Sequence, residues 1–259
     1  MILEGKVVLV SGASSGIGLV AARMLAARGA QVVFAARSLA VLERAVRGLP
    51  GAMAVQLDVT SDASVRAAGA AVMARYGRVD VLVNNAGNGG RMGFLLEQDP
   101  QHLRAMFDVH VFGMERMTRA LLPHMLARGT GTIVNVASTI GYVPMPAAAA
   151  YCAAKAAVLA FSESLRGEFV GTGVNLLLYS PPHTQTEAGQ LWPLDLPKTF
   201  TPEFAAETLV HTLEKDKRDV LAGGNNMVLW LQRVSPRLAL HVMRGIGLRA
   251  AARAKQLAA

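Results

Sequence analysis

Cysteine, charge and long apolar runs are all scarce in this 259-residue sequence. The single cysteine, Cys152, excludes an internal disulfide framework and fits a reducing compartment. Charged residues make up 17% of the chain and hydrophobic residues 52%, which excludes a disordered protein and supports a sizeable core. No stretch of about 20 apolar residues occurs, which excludes a plain transmembrane helix, and the first apolar run is too short for a signal peptide. We therefore expect a cytoplasmic protein.

Acidic residues are missing from residues 225–259. Six basic residues occupy this segment: Arg233, Arg237, Arg244, Arg249, Arg253 and Lys255. The net charge of +8 therefore lies mostly in the C-terminal segment and leaves the rest of the chain near neutral. A basic protein can bind nucleic acid, but because the charge is confined to an appendage we expect no nucleic-acid partner.

Short apolar runs alternate with longer helix-like segments. The runs are β-branched, nearly continuous in apolar content and typical of buried strands; they span 6–11, 31–36, 52–57, 79–84, 131–138, 173–180 and 219–223. The helix-like segments lie near 16–29, 39–48, 61–76, 101–128, 151–170 and 202–216. This alternation predicts one α/β domain over residues 1–224, a Rossmann-like doubly wound parallel sheet of about seven strands with helices on both faces. A basic C-terminal helical extension follows over 225–259.

The first strand is followed by the glycine-rich stretch SGASSGIG, with Gly12, Gly16 and Gly18. Glycines between a strand and a helix let the backbone approach a pyrophosphate, which the helix N-terminus stabilises. A glycine-rich turn without a ligand is the alternative interpretation. Its place directly after strand one and before a helix favours a dinucleotide site.

The second strand ends in FAARS, with Ala36 and Arg37. Folds that bind NAD usually place an acid at this point, to accept the ribose 2′-hydroxyl. Here the acid is missing and a guanidinium offers the charge that a 2′-phosphate requires. The pattern predicts NADP(H), the alternative being that Arg37 is an ordinary surface residue.

The stretch AYCAAKAA places Tyr151 and Lys155 four residues apart on a helix of small residues. Together with the glycine turn, LDV (57–59), NNAG (84–87) and Ser138, it resembles the short-chain dehydrogenase/reductase family over roughly residues 5–223, with the motifs in order at family-like spacings. The resemblance implies a carbonyl–alcohol oxidoreductase that needs no metal. It implies that Asn84, with Ala86 and Gly87, braces the sheet near the cofactor. The residues expected to hold NADP(H) are Gly12, Ser14, Ser15, Gly16, Ile17, Gly18, Arg37, Asp58, Val59, Asn85, Ala86, Gly87, Tyr151, Lys155, Pro181, Thr184 and Thr186.

The resemblance also assigns catalytic roles to Ser138, Tyr151 and Lys155. Reduction of a carbonyl needs a proton for the developing alkoxide, and a free phenol with a pKa near ~10 is a poor acid or base at neutral pH. We expect Tyr151 to be the acid/base. Lys155 would favour its phenolate and hold the nicotinamide ribose, and Ser138 would polarise the substrate oxygen. A solvated tyrosine–lysine pair on a helix surface is the bland alternative.

Two positions depart from the family pattern. Pro182 stands where the family usually has glycine, and because proline cannot adopt a positive φ the path of this loop is uncertain from sequence. His110 stands where the family commonly has an asparagine that holds a water in a proton relay. His110 is a candidate catalytic residue that holds the water or carries the proton itself. A helix histidine without a role, or a degraded relay in a repurposed enzyme, are the alternatives.

Apolar residues dominate the segments that cover the substrate in this family. They are Met92, Phe94, Leu95, Met145, Leu191, Trp192, Leu194, Leu196 and Phe200. They predict a lipophilic substrate such as a fatty acyl, sphingoid, retinoid or steroid-like carbonyl or alcohol. Lid residues that pack on the body above a small substrate are the alternative.

The extension 225–259 reads as a basic amphipathic helix that Pro236 interrupts. Trp230, Arg233, Arg237, His241 and Arg244 fall on one face of the helical wheel, and Leu231, Leu238, Val242 and Ile246 fall elsewhere. We expect either peripheral contact with an anionic membrane or packing on the same or a neighbouring subunit. The family habit of pairing through the fourth and fifth helices implies a homodimer or homotetramer. Rival functions are a cofactor-dependent isomerase, epimerase or dehydratase, and a non-catalytic nucleotide-binding scaffold at a membrane surface.

Overall fold

The computed structural model describes residues 1–194, 196, 198–215, 217, 219–223 and 225–258, without the side chains of residues 225, 226, 228 and 258. Four predicted segments include positions outside this part. These are the segment 187–200 expected to cover the substrate (positions 195 and 197), the helix 202–216 (position 216), the domain 1–224 (positions 195, 197, 216, 218 and 224) and the extension 225–259 (position 259).

The described chain forms a seven-stranded parallel sheet in the order β3-β2-β1-β4-β5-β6-β7. The strands are β1 (Val7–Ser11), β2 (Gln31–Ala36), β3 (Met53–Gln56), β4 (Val81–Asn84), β5 (Gly131–Val136), β6 (Val174–Ser180) and β7 (Asp219–Leu221). The predicted fold class is confirmed. Because the strand order reverses between β1 and β4, the carboxyl ends of these strands form the crevice in which doubly wound proteins bind ligands.

Eleven α-helices connect or follow the strands in the described residues. They are α1 (Gly16–Ala27), α2 (Leu39–Ala45), α3 (Asp62–Tyr76), α4 (His102–Phe107), α5 (Gly113–Arg128), α6 (Thr139–Tyr142), α7 (Ala149–Glu168), α8 (Glu187–Gln190), α9 (Pro202–Glu214), α10 (Asn225–Val234) and α11 (Pro236–Ala258). The helix predicted over 101–128 is α4 and α5 joined by a π-helical segment, Asp108–Phe112. A 3₁₀ turn lies at Leu95–Glu97.

Two apolar layers cover the sheet, one on each face. Alternate residues of β1 divide between them: Val7 and Leu9 join a core with α3, α5 and α7, whereas Val8 and Val10 join a core with α1, α2 and α9. Buried polar groups brace the middle of the sheet, since Asn84 Nδ2 donates to Asn135 Oδ1 (2.9 Å) and Asn135 Nδ2 donates to Ser162 Oγ (2.8 Å). This network links β4, β5 and α7 in the manner expected of Asn84.

The C-terminal helices fold back onto the domain. Pro236 begins α11 directly after Ser235, so the predicted interruption is confirmed. The inner face of α11 is built from small or flexible residues that pack in a third apolar cluster with Met92, Met145 and Trp192; they are Ala239, Met243, Ala250 and Ala251. Packing on the same subunit, one of the two alternatives for this segment, is therefore observed. Among the described residues, no helix is both long enough and apolar enough to cross a membrane.

Candidate active site

A cavity of about 340 Å³ opens at the carboxyl ends of the central strands, where the order of the sheet reverses. The side chains that line it include four from three different elements that could take part in proton transfer: His110, Ser138, Tyr151 and Lys155. Ser138 directly precedes α6, and Tyr151 and Lys155 lie one turn apart in the first half of α7. These three elements thus bring together side chains that are far apart in sequence.

The glycine turn between β1 and α1 borders the same cavity and has no room for a side chain at Gly12 or Gly18. Gly12 has a φ of +70°, and a Cβ there would lie 2.8 Å from the Cα of Ala86. A Cβ on Gly18 would collide with the amide of Asn85 and the carbonyl of Gly12. Asn85 holds this arrangement because its Nδ2 donates to the Ser11 carbonyl at 3.0 Å. The turn therefore leaves backbone exposed beside the start of α1, as a pyrophosphate requires.

Tyr151 is a protonated phenol at neutral pH in this structure. Burial raises its pKa to about 12, and a hydrogen bond with Ser138 acts in the opposite direction. The two hydroxyls are therefore neighbours in the cavity. The expected lowering by Lys155 is not observed, because burial is the largest effect on the pKa of Tyr151 and raises it. A protonated Tyr151 can donate a proton and, with Ser138, hydrogen-bond one substrate oxygen.

Lys155 is buried beneath Tyr151. Its Nζ donates to the carbonyl of Val136 at 2.7 Å and lies 5.6 Å from the centroid of the Tyr151 ring. Burial lowers the pKa of Lys155 to about 7. The ammonium and the neutral amine are therefore both populated near neutrality, which suits a group that moves a proton.

His110 lies in the π-helical segment, on the other side of Tyr151. The two rings are edge-on, 5.2 Å apart at 85°. Burial, and secondly the charge of Lys155, lowers the pKa of His110 to about 3, so the ring is neutral at physiological pH. Nε2 lies 2.7 Å from the carbonyl of Asn88, which can only accept, so Nε2 carries the hydrogen. Nδ1 is then an acceptor, and it is buried without a partner among the described residues.

A second, much smaller cavity of about 10 Å³ lies next to His110 and Lys155, and both residues line it. Asn84 also borders it, and its Oδ1 is another buried acceptor without a described partner. A space of this size is close to what a single water needs, and the lining supplies polar groups for it. The geometry is suited to a water-mediated link between Lys155 and His110.

Trp192 closes the large cavity from above. Its ring is buried and lies edge-on to Tyr151, with 5.2 Å between centroids, and Nε1 donates to the carbonyl of Gly90 at 2.9 Å. Other apolar residues complete this wall: Met145, Leu194, Leu196, Met243 and Ile246. Met243 and Ile246 belong to α11, so the C-terminal helix forms part of the cavity.

Comparison with known proteins assigns the family. The family model for short chain dehydrogenases matches residues 6–195. The chain belongs to this family. The ketoacyl reductase HetN of Nostoc sp. is 32% identical over 263 residues, which covers 95% of this chain and 90% of HetN. Short chain dehydrogenases bind a nicotinamide cofactor and act on CH–OH groups, and the chain is therefore placed among these oxidoreductases.

Two solved structures of similar proteins carry different cofactors. A short chain dehydrogenase from Burkholderia cenocepacia in complex with NADP has a TM-score of 0.82 and 30% identity, covering 93% of this chain and 98% of that one. A 3-ketoacyl-(acyl-carrier-protein) reductase from Brucella melitensis complexed with NADH has a TM-score of 0.76 and 32% identity, covering 81% and 91%. These relatives support the nucleotide-binding fold without deciding between NADP and NAD.

Most of the residues predicted for the site line the large cavity. These are Gly12, Ser15, Gly16, Ile17, Gly18, Asn85, Gly87, His110, Ser138, Tyr151, Lys155, Pro181, Thr184 and Thr186. Ser14, Arg37, Asp58, Val59 and Ala86 do not line it. Ala86 instead supports the glycine turn, as its amide donates to Ser11 Oγ at 3.1 Å.

Arg37 and Asp58 follow β2 and β3 and lie close to each other. Hydrogen bonds from Thr60 hold the pKa of Asp58 below its ordinary value, and the nearby charge of Arg37 adds to this effect. Arg37 is exposed and forms no ion pair with another described residue. Its guanidinium is therefore available to a ligand at the edge of the crevice.

The loop after β6 packs Pro182 against Gly223 and extends to the glycine turn. The ring of Pro182 is buried, and a Cβ on Gly223 would lie 2.5 Å from its Cβ, so the two positions pack tightly. Thr184 Oγ1 donates to the Pro182 carbonyl at 2.8 Å. Thr186 caps α8, with its Oγ1 accepting from Gly189 N at 3.0 Å, and its methyl group faces Gly16. The loop thus reaches the glycine turn.

Sequence reasoning missed several residues of the cavity: Asn88, Gly89, His183, Met243 and Ile246. Asn88 and Gly89 directly follow the NNAG motif and His183 follows Pro182, so extending each motif by two residues finds all three. No local signal marks Met243 and Ile246, because their place depends on how α11 folds back.

Proposed function

We propose that this protein is an NADP(H)-dependent oxidoreductase that interconverts a lipophilic carbonyl compound and the corresponding secondary alcohol. The observation that carries the proposal is the shared cavity: Ser138, Tyr151 and Lys155 border the same space as the glycine turn and an apolar wall. The rest of the proposal assigns a role to each group.

Residues of this chain fit the cofactor in two places. The turn over residues 12–18 leaves no room for a Cβ at Gly12 or Gly18 and would hold the pyrophosphate at the start of α1. Arg37, exposed and without an ion pair among the described residues, would bind a 2′-phosphate, since no acid ends β2 to repel it. When bound, the cofactor supplies or accepts the hydride.

Tyr151 is the proton donor for reduction. Its O–H and that of Ser138 would both donate to the substrate carbonyl oxygen, which stabilises the negative charge that develops there. Because the pKa of Tyr151 is raised to about 12, the phenol is fully protonated at neutral pH, ready to transfer its proton to the forming alkoxide. The same value makes oxidation slow until a base removes that proton.

Lys155 returns the proton to Tyr151, and His110 positions a water beside Lys155. Lys155, with a pKa lowered to about 7, holds a transferable proton below the phenol. A water in the small cavity would accept from Lys155 and donate to Nδ1 of His110. His110 acts as a fixed acceptor that orients this water and does not itself become charged, because its pKa lies near 3.

The apolar wall favours a lipophilic substrate. Trp192, Met145 and Met243 line the cavity beside Tyr151, together with the aliphatic side chains of Leu194, Leu196 and Ile246. A cavity of this composition recognises aliphatic or ring carbon by contact and leaves orientation to Ser138 and Tyr151. A 3-oxoacyl, sphingoid, retinoid or steroid-like carbonyl fits this description.

The test measures NADPH consumption with a panel of these four carbonyl classes. Wild type should turn over one class, and Tyr151→Phe should lose at least about 100-fold in kcat. Tyr76→Phe, which removes the hydroxyl of a half-buried tyrosine outside the cavity that donates to the carbonyl of Gly51, is the matched control. Tight NADPH binding without turnover of any class would contradict the proposal and favour an isomerase, epimerase, dehydratase or non-catalytic scaffold.

A further inference from the structure

The outer surface of the C-terminal helices combines apolar and basic side chains. We define the tail face as the exposed residues of α10 and α11 that point away from the domain: Met227, Trp230, Arg233, Val234, Arg237, Leu238, His241, Val242, Arg244, Leu248 and Arg249. We propose that the tail face binds the surface of an anionic lipid bilayer. This inference goes beyond the reaction proposed above and does not depend on it.

The apolar part of the tail face is a stripe on α10. Met227, Trp230 and Val234 follow one another at helical spacing i, i+3, i+7, and their exposed fractions are 73%, 62% and 63%. Such a stripe normally faces a core. Here the core-facing side of the extension is already occupied by other residues, among them Leu229 and Leu231 of α10. An exposed stripe of this kind marks a surface that binds something apolar.

The inner face of α11 shows that the tail is held firmly in this orientation. Ala239 and Met243 are buried against the domain, and a Cβ on Gly247 would lie 2.8 Å from the carbonyl of Pro146. At the far end of α11, Lys255 pairs with Glu97 and lies over the ring of Phe94. The outer residues therefore cannot be buried by a simple rotation of the helix.

A second exposed apolar group adjoins the same helix. Leu95 and Leu96 are 81% and 97% exposed. They neighbour Glu97, the residue that pairs with Lys255, so they lie beside the C-terminal end of α11. Exposed apolar residues of α10 and of the 3₁₀ turn thus lie on either side of α11. The inner side of α11 forms part of the cavity wall.

The positive charge of the tail face favours an anionic partner. Arg233, Arg237, Arg244 and Arg249 are exposed and form no ion pair with other described residues, and no acid occurs within 225–259. Pairing with a second copy through this face would bring four arginines against four, which is unfavourable. A bilayer with anionic headgroups instead neutralises the arginines and receives the tryptophan and aliphatic side chains at its interface.

The experiment measures cosedimentation of the full chain with vesicles of phosphatidylcholine, with and without phosphatidylglycerol. The proposal predicts binding to the anionic vesicles alone, and at least about tenfold weaker binding for Arg233→Glu/Arg237→Glu. The matched control is Arg23→Glu/Arg47→Glu, which changes the net charge equally at two exposed arginines on the domain. The control should bind like wild type.

A second measurement needs no charge variant. Trp192→Phe leaves Trp230 as the sole tryptophan of the chain, and its emission should shift to shorter wavelength with anionic vesicles. Absence of vesicle binding, or an equal loss in both charge-reversed pairs, would overturn the proposal. The proposal would also be overturned if a tail-face variant dissociated an oligomer of the chain and still bound vesicles normally. It would be overturned as well if the chain bound an acidic carrier protein and did not bind vesicles.

Discussion

Trp192 covers Tyr151, the residue proposed as the acid: the two rings lie edge-on with 5.2 Å between centroids, and the indole nitrogen of Trp192 donates to the carbonyl of Gly90. The residue that closes the cavity is therefore also a residue that excludes water from the phenol. Because burial is the main cause of the raised pKa of Tyr151, the closing segment and the acid strength of the site are physically coupled.

Removal of the indole should make Tyr151 more acidic. In Trp192→Ala, water reaches the phenol, and its pKa should fall from about 12 towards 10, whereas Trp192→Phe should keep most of the burial. Near-ultraviolet titration of each variant, with and without the additional Tyr151→Phe change, isolates this group among the four tyrosines. An unchanged titration in Trp192→Ala would show that the indole does not control the solvation of Tyr151.

Arg37 should determine the preference between the two cofactors. Arg37→Ala should weaken NADPH binding by at least about tenfold and leave NADH binding nearly unchanged, because only NADPH carries the 2′-phosphate. Fluorescence titration with both nucleotides measures this, with Arg23→Ala as a control at an exposed arginine of α1. Equal losses for the two cofactors would remove the assignment of NADP(H).

His110 should make the protein sensitive to acid. Its pKa lies near 3 in the folded chain against 6.5 ordinarily, so between these values the unfolded chain binds more protons. The free energy of unfolding therefore falls as the pH drops from about 6.5 to 3, by at most about 5 kcal/mol for this residue. In His110→Asn this part of the pH dependence should vanish.

Urea unfolding at a series of pH values compares this variant with wild type. His124→Asn, at an exposed position of α5, serves as the control and should keep the full slope. Parallel pH profiles for wild type and His110→Asn would mean that the ring is not held neutral by burial.

Met243 and Ile246 should limit the size of the substrate. Met243→Ala/Ile246→Ala enlarges the cavity at the wall formed by α11, so the ratio of kcat/KM for a longer or bulkier substrate over a shorter one should rise at least about tenfold. Steady-state kinetics on a homologous series measures the ratio. Leu240→Ala alters an exposed side chain of the same helix and should leave the ratio unchanged. A constant ratio in the double variant would remove α11 from substrate selection.

The sheet, the glycine turn and the convergence of Ser138, Tyr151 and Lys155 were predictable, because each depends on short motifs whose spacing fixes their place at the strand ends. The protonation state of Tyr151 was not predictable. Sequence reasoning expected Lys155 to lower its pKa, but the outcome depends on how completely distant residues such as Trp192 bury the phenol. The π-helical segment at His110 likewise has no local signal.

The C-terminal extension shows a second limit. The helical wheel separated Leu238 and Val242 from the basic face, yet both are exposed. The buried face of α11 uses Ala239, Ala250 and Ala251, whose small side chains permit close approach to the domain but give a weak hydrophobic pattern. Whether the extension also meets a bilayer, and whether the chain forms the expected homodimer or homotetramer, stay predictions.

Because α11 forms one wall of the cavity and is the last helix of the chain, the cavity is completed late in folding. During synthesis the ribosome releases Tyr151 and Lys155 before Met243 and Ile246, because the chain is made from its N-terminus. A nascent chain can therefore present a finished sheet and catalytic helix while its cavity is still open on one side. Competence to retain an apolar substrate would be acquired in a late docking step, when Gly247 reaches Pro146.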